Sequence, residues 1–135
     1  MNREVDLTDQ EWRERLSPEQ FEVLRKSATE PAWSGELLHV DSNGVFHCAG
    51  CGAALFSTDN KFESGSGWPS FDRAMENGTV EEHRDRTFGM VRTEIVCARC
   101  GGHLGHIFDD GPTDTGQRYC VNSLSLAFTP EGDKG

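Results

Sequence analysis

The chain has 135 residues and a formal charge of −10, from 13 Lys and Arg against 23 Asp and Glu. This length favours one domain spanning residues 1–135, and the acidic balance argues against binding to a nucleic-acid backbone. No apolar run is long enough to span a membrane, and the first ten residues lack the apolar core of a secretory signal, so we expect a cytoplasmic protein with reduced thiols.

Two short helices are predicted near the N-terminus. Thr8 and Glu11 have the spacing of a capping box, and Ser17 and Gln20 repeat it just before a second apolar periodicity. Pro31 then ends the helical region.

The rest of the chain reads as short strands separated by Gly, Asn, Asp and Pro. The predicted strands are residues 37–40, 45–48, 53–56, 79–84, 90–96 and 118–128. Asn43 and Gly44 predict a hairpin between the first two strands. This spacing favours a mainly β, antiparallel fold such as a small barrel or sandwich.

Four of the five cysteines form two Cys-x-x-Cys pairs, Cys48 with Cys51 and Cys97 with Cys100. Four thiolates complete a tetrahedral site that suits a structural Zn²⁺ ion. A redox dithiol, two disulfides, or His103 in place of one cysteine are the alternatives. Because 45 residues, 52–96, separate the pairs, we expect the metal to join two distant turns.

Cys120 is the fifth cysteine, and it has no local partner. If residues 118–128 form one strand, Arg118, Cys120 and Asn122 share a face with the apolar Leu124. A polar group beside a thiol on an inward face favours a binding site over an inert buried cysteine. We expect the Arg118 charge to lower the pKa of the thiol.

Two histidines and one tryptophan are further candidates for this site. His103 and His106 would point to opposite faces of a regular strand, so they converge only if the strand kinks, which Gly105 permits. Each is also compatible with a structural role. Trp68, in the Gly-rich segment 64–71, suits either an apolar pocket wall or the core.

These motifs together closely resemble the B-type methionine sulfoxide reductases, which reduce the R epimer of methionine sulfoxide. The resemblance covers residues 12–128 and rests on the two cysteine pairs and on segments 61–71, 89–94, 103–108 and 118–123. It implies a β-rich fold of two antiparallel sheets with N-terminal helices and one structural zinc. It also implies that the substrate is methionine sulfoxide in peptides and proteins.

The predicted site has seven residues, five of which take their roles from the resemblance. Cys120 would attack the sulfoxide sulfur and become a sulfenic acid, and the groups that assist it or bind the substrate would be His103, His106, Asn122, Arg118, Trp68 and Phe108. Of these, the histidines would protonate the oxygen, Asn122 would orient the substrate, and Trp68 would receive the ε-methyl group.

Ser66 departs from the family pattern, because many relatives carry a resolving cysteine there. With four cysteines assigned to zinc, we expect thioredoxin or another external thiol to reduce Cys120, in preference to a cysteine released from the metal. A zinc-stapled binding module and a peroxidase-like thiol sensor are the competing functions. Neither of them requires the full set of Cys120, the histidines and Trp68.

Overall fold

The computed structural model describes residues 5, 7–38, 40, 42–75, 79–85 and 92–130. Within these ranges the fold is mainly β, as expected, with two short helices before the strands. The helices are α1 (Asp9–Arg15) and α2 (Pro18–Lys26), and the strands are β1 (Gly44–Cys48), β2 (Ala54–Ser57), β3 (Lys61–Phe62), β4 (Ser70–Phe71), β5 (Val80–Asp85), β6 (Arg92–Cys97), β7 (His103–Phe108), β8 (Arg118–Val121) and β9 (Leu126–Pro130).

The described strands form two antiparallel sheets, which confirms the predicted arrangement. The smaller sheet has the order β2-β1-β9, and the larger has the order β3-β4-β8-β7-β6-β5. A 3₁₀ turn at Ser123–Ser125 connects β8 in the larger sheet to β9 in the smaller one.

Both predicted capping boxes are present at the helix N-termini. The backbone N–H of Glu11 donates to Thr8 Oγ1 at 3.2 Å, and that of Gln20 donates to Ser17 Oγ at 3.1 Å. These bonds satisfy amides that a helix N-terminus leaves without an intrahelical partner. Trp12 of α1 is fully buried, and Arg25 of α2 donates to the carbonyl of Cys100 at 2.9 Å. The helices therefore cover the turns that carry the paired cysteines.

An aromatic cluster packs the two sheets together. Phe46 and Phe56 of the smaller sheet contact Phe71 of the larger sheet, with ring centroids 5.1 and 4.4 Å from it. Tyr119 of β8 meets Phe56 edge-on at 5.7 Å. Because Tyr119 and Val121 point into this core, Arg118 and Cys120 lie on the opposite face of β8, where they are half-buried.

The strand predicted at 37–40 is wrong for the residues of that range that the structure describes. Leu38 instead closes a turn to the carbonyl of Gly35, and the N–H of Leu37 donates to Ser123 Oγ. β1 already pairs with β2 on one side and β9 on the other, so neither edge is available to a further strand. The predicted Asn43–Gly44 hairpin is therefore not formed.

The prediction of one strand over 118–128 is also wrong, because the chain changes sheets at Asn122. The backbone N–H and the side-chain Nδ2 of Asn122 both donate to the carbonyl of Leu104, and Ser125 Oγ donates to the carbonyl of His103. These buried bonds stabilise the 3₁₀ turn. They replace the strand-to-strand hydrogen bonds that a continuing β8 would form. Leu124 therefore does not extend the face of Cys120.

The remaining strand predictions agree closely with the structure. Segments 45–48, 53–56 and 79–84 correspond to β1, β2 and β5 within one residue at each end. The predicted strand 90–96 begins outside the described residues, and its described part belongs to β6.

Candidate active site and metal site

A cavity of about 250 Å³ opens beside Cys120 on the face of the larger sheet that lies away from the core. Its lining includes six of the seven residues of the predicted site. The lining residues are Thr29, Ser66, Trp68, Gly105, His106, Phe108, Arg118, Cys120, Val121 and Asn122. His103 is the exception and lies behind the lining.

The register of the larger sheet brings these side chains together. Cys120 lies opposite Ser70 of β4 on one side and opposite His106 of β7 on the other, and Arg118 lies opposite Phe108. Directly opposed residues of antiparallel strands point to the same face of the sheet. The pairing of β4, β8 and β7 thus places a thiol, an imidazole, an aromatic ring and a guanidinium on one surface.

The environment of Cys120 raises the pKa of its thiol above the usual value, mainly because burial disfavours the thiolate. Ser66 Oγ, 3.7 Å from the sulfur, and the positive charge of Arg118 lower this pKa in part. The expected effect of Arg118 is therefore present, but burial outweighs it. The net direction is opposite to the one the sequence suggested.

Arg118 is held in a fixed orientation beside the thiol. Its Nε and Nη2 donate to the two carboxylate oxygens of Asp110 at 2.9 and 3.2 Å, and its guanidinium lies 4.5 Å from the ring centre of Phe108. The bidentate pair and the aromatic ring restrict the rotation of this side chain. The Asp110 charge also raises the pKa of Cys120, so it offsets part of the Arg118 effect.

Strand β7 contains a bulge beside Gly105. Ile95 and Val96 are adjacent in β6, but their partners in β7, Gly105 and His103, are separated by one extra residue. The extra residue brings His103 and His106 together, with ring centroids 5.6 Å apart in an edge-on arrangement. The kink expected at Gly105 is therefore present. Only glycine fits here, because an added Cβ would collide with the carbonyl oxygen of Cys120.

The two histidines differ in their access to the cavity. His106 lines it, whereas His103 is 4% exposed and bonds through Nδ1 to Glu94 Oε2 at 2.6 Å. The Nε2 of His103 is buried and has no hydrogen-bond partner among the described residues. Glu94 of β6 thus contacts His103 of β7, which in turn lies against His106 in the cavity lining.

Glu30 links the two remaining candidate residues, Trp68 and Asn122. Its backbone carbonyl accepts from Trp68 Nε1 at 2.9 Å, and its N–H donates to Asn122 Oδ1 at 3.0 Å. Its carboxylate accepts from the N–H of Leu124 at 2.9 Å and is itself buried. Since both amide ends of Asn122 bond to backbone, that side chain is firmly held at the edge of the cavity.

A second cluster lies apart from the cavity, at the turns next to β1 and β6. The sulfur atoms of Cys48, Cys51, Cys97 and Cys100 all lie within 4.8 Å of one another. Two of the separations are 3.7 Å, between Cys48 and Cys100, and 3.6 Å, between Cys51 and Cys97. This set of four soft donors is positioned to bind a metal ion.

Three residues of the site were not identified from the sequence. Glu94 reaches His103 across a strand pair, Asp110 reaches Arg118 across a loop, and Glu30 reaches Trp68 and Asn122 from the segment that follows α2. Glu94 belongs to a segment that carried the family resemblance, which was its one available signal. Asp110 lies outside the segments that carried the resemblance, and Glu30 directly precedes the Pro31 that ends the helical region.

A model of the SelR domain family matches residues 16–130, which is most of the chain. The chain belongs to the SelR family. This SelR chain is 53% identical over 131 residues to the peptide methionine sulfoxide reductase MsrB of Leptospira interrogans, covering 97% of this chain and 100% of that protein. The enzymes with the same name from Methanosarcina mazei and Thiobacillus denitrificans are 50% and 53% identical to it over 131 residues, covering 97% of this chain and 94% and 99% of their own lengths. The resemblance to the B-type methionine sulfoxide reductases is confirmed.

The SelR chain also resembles a solved structure in its fold. The crystal structure of the Mis18 "Yippee-like" domain superposes with a TM-score of 0.53 at 21% identity, over 67% of this chain and 99% of that one. This likeness concerns the fold alone. Among the described residues no helix has the length and apolar character needed to cross a membrane.

Neutralising Arg118 and neutralising Asp110 should change the reactivity of Cys120 in opposite directions. We expect Arg118→Gln to raise the pKa of the thiol further and to slow its alkylation several-fold at pH 7, because a smaller fraction is thiolate. Asp110→Asn should speed it, because the opposing negative charge is lost. Iodoacetamide labelling across pH, followed by mass spectrometry of the Cys120 peptide, measures both.

Arg73→Gln is the matched control. Arg73 forms an ion pair with the exposed Asp114, which lies on the same β7–β8 loop as Asp110. The substitution should leave the Cys120 labelling rate unchanged. If Arg118→Gln and Asp110→Asn changed the Cys120 labelling rate in the same direction, the electrostatic explanation would be contradicted. Such a result would indicate a disturbed loop.

Proposed function

We propose that this chain is a peptide-methionine (R)-S-oxide reductase that returns oxidised methionine in proteins to methionine. The observation that carries the proposal is a thiol in the lining of a cavity whose other lining residues include hydrogen-bonding groups and aromatic rings. Membership of the SelR family and the names of its relatives support the same activity.

The two sides of the cavity match the two parts of the substrate. Methionine sulfoxide combines a polar S–O group with an apolar methyl group and methylene chain. Trp68 and Phe108 would receive the apolar part, while His106 and Asn122 would face the oxygen. Because Asn122 is already bonded to backbone at both ends, we propose that it shapes the cavity while His106 contacts the oxygen.

The reaction we propose is a transfer of oxygen from one sulfur to another. The Cys120 thiolate attacks the sulfoxide sulfur and forms a transient S–S bond. The oxygen then transfers to the Cys120 sulfur as the substrate S–O bond and the transient S–S bond break, which leaves methionine and a sulfenic acid on Cys120. The methionine sulfur gains two electrons and the cysteine sulfur loses two. The thiol proton passes through His106 to the oxygen, so the sum is thiol plus sulfoxide giving sulfenic acid plus thioether.

His103 and Glu94 would support His106 in this proton transfer. A carboxylate bonded to one ring nitrogen fixes the tautomer and orientation of an imidazole. The buried Nε2 of His103, with no partner among the described residues, is suited to hold the second imidazole. We therefore propose His106 as a catalytic residue and Glu94 as a positioning residue.

An external thiol would regenerate Cys120, because Ser66 occupies the position next to its sulfur. A hydroxyl cannot form a disulfide, and the other four cysteines lie in the metal cluster. The sulfenic acid would react with a thiol of thioredoxin or another reductant, releasing water and forming a mixed disulfide. A second reductant thiol would then release Cys120. Ser66, itself bonded to Ser64 at 2.8 Å, would hydrogen-bond the thiolate instead.

The metal in the four-cysteine cluster would be zinc. Zn–S bonds of about 2.3 Å place tetrahedral ligands about 3.8 Å apart, and the Cys48–Cys100 and Cys51–Cys97 sulfur separations of 3.7 and 3.6 Å are close to that distance. With four thiolate ligands the ion would leave no open position, and its contribution would be to join the turns next to β1 and β6. We propose one structural zinc per chain.

The remaining expectations concern the chain as a whole. We propose that residues 1–135 act as one domain, and that the site works in a compartment where thiols stay reduced, such as the cytoplasm. The net charge of −10 gives no support to nucleic acid as a partner.

Replacing the nucleophile should abolish the activity. We expect the wild-type protein to reduce the R epimer and not the S epimer of methionine sulfoxide, and Cys120→Ser to lose at least about a thousandfold in rate, because a hydroxyl is a far weaker nucleophile. Chromatographic measurement of methionine formed from each epimer tests this. R-epimer reduction that survives in Cys120→Ser would overturn the assignment of the nucleophile.

A single turnover without reductant should leave Cys120 unbridged. We expect dimedone to label a sulfenic acid on Cys120 in the wild-type protein, and peptide mapping to find no intramolecular disulfide. Ser66→Cys should instead form a disulfide with Cys120, because the Ser66 Oγ is already 3.7 Å from the Cys120 sulfur. A wild-type Cys120 bridged to a cluster cysteine would show that the metal site supplies the resolving thiol.

Metal analysis should find one equivalent of zinc per chain. Cys97→Ser should lose the metal and lower the Tm by at least about 10 °C, because the ion joins turns that are far apart in sequence. Cys120→Ser is the matched control, since it removes a thiol outside the cluster and should keep both zinc and Tm. A metal-free wild-type protein with an unchanged Tm would disprove the structural role.

A further inference from the structure

Trp33 is an exposed indole in a strained backbone position. It is 62% exposed, and it is the one large hydrophobic side chain that is mainly solvent-exposed within the described part of the chain. Its φ of 70° lies in the left-handed region, which costs energy for a bulky residue. Such strain is typical of positions where a binding surface requires it.

The chain holds Trp33 against the loop that forms one wall of the candidate active site. Its N–H donates to the carbonyl of Gly67 at 2.7 Å, and a Cβ added to Gly67 would lie 3.1 Å from the indole Nε1. Gly67 sits between Ser66 and Trp68, both of which line the cavity. The bond from Trp68 Nε1 to the Glu30 carbonyl, at 2.9 Å, ties the two segments a second time.

The size of the cavity decides what must lie around it. A volume of about 250 Å³ accommodates one side chain, so the main chain and neighbouring residues of a protein substrate remain outside. An exposed indole offers a large and rigid apolar surface with one hydrogen-bond donor, which is why Trp is common where peptides and proteins are bound. Trp33 is outside the cavity lining but directly beside it.

We propose that Trp33 determines preference for peptide-bound over free methionine sulfoxide, by packing its indole against the residues that flank the oxidised methionine. The inference rests on the proposed reductase function and assigns a specificity-determining residue to that site. We expect a polypeptide to contact Trp33, because Trp33 extends the cavity wall formed by Ser66 and Trp68. The main chain of a substrate whose oxidised methionine fills the cavity lies outside this wall.

Three variants separate the contribution of the indole ring from that of the backbone at residue 33. Trp33→Asn removes the ring with a residue that tolerates a positive φ, and Trp33→Phe keeps an aromatic ring. Both retain the N–H that donates to Gly67. Glu14→Asn, at an exposed position on α1, is the control for a substitution away from the cavity.

The experiment is a single turnover by an excess of reduced enzyme with no external thiol, so that docking of a reductant cannot contribute. The substrates are free L-methionine-R-sulfoxide and a heptapeptide whose central methionine-R-sulfoxide is flanked by leucines. We expect Trp33→Asn to slow the peptide reaction about tenfold and to change the reaction of the free amino acid by less than about twofold. Trp33→Phe should recover most of the peptide rate, and Glu14→Asn should match the wild type.

Three results would overturn the inference. The first is an equal loss on both substrates, which would make Trp33 a structural residue of the cavity. The second is an unchanged peptide rate, and the third is a loss that arises only in multiple turnovers with thioredoxin, which would assign the indole to the reductant. If the wild-type protein reduced neither substrate, the proposed function would fail first, and the inference with it.

Discussion

The position of the Cys120 thiol depends on the packing of its neighbours, Tyr119 and Val121, into the core. Tyr119 meets Phe56 of the opposite sheet, so the register of β8 is fixed by contacts between the two sheets. A shift of one residue would turn Cys120 into the core and expose two buried side chains. The same register places His106 and Ser70 on either side of Cys120, so the core that stabilises the fold also assembles the site.

The thiol environment balances two opposing requirements. Burial raises the pKa of Cys120 and lowers the fraction of thiolate, while Ser66 and Arg118 act in the other direction. A thiolate from a thiol of higher pKa is intrinsically the stronger nucleophile, because nucleophilicity falls as the pKa falls. The orientation of Arg118 by Asp110 and Phe108 therefore sets how far the balance moves. A half-buried thiol beside one oriented cation combines partial shielding from water with partial stabilisation of the thiolate.

The sequence predicted the features that depend on neighbouring residues and missed those that depend on the fold. The capping boxes at Thr8 and Ser17 and the two cysteine pairs are local patterns, and the structure contains both. The strand predicted at 118–128 failed because apolar alternation continues through Asn122, while the hydrogen bonds that turn the chain come from Leu104 and Glu30.

The same limit explains the residues of the site that were missed. Glu94 becomes a partner of His103 only through the pairing of β6 with β7 and the bulge beside Gly105. Glu30 meets Trp68 through a backbone carbonyl, a group that every residue carries and no sequence pattern reveals. The strand prediction at 37–40 failed for a related reason, since both edges of β1 were already taken.

The short crossover from β8 to β9 also connects the two sulfur sites through the backbone. Within a few residues of Cys120, the carbonyl of Ser125 accepts from the N–H of Ala49, and Leu126 pairs with Cys48 of the metal cluster. Segments joined this closely tend to open and close as one cooperative unit in hydrogen exchange. Loosening the turn at Cys48 would thus free the same stretch of chain that positions Asn122. The geometry of the four-cysteine cluster and the shape of the cavity beside Cys120 are therefore linked through the backbone, although no residue belongs to both.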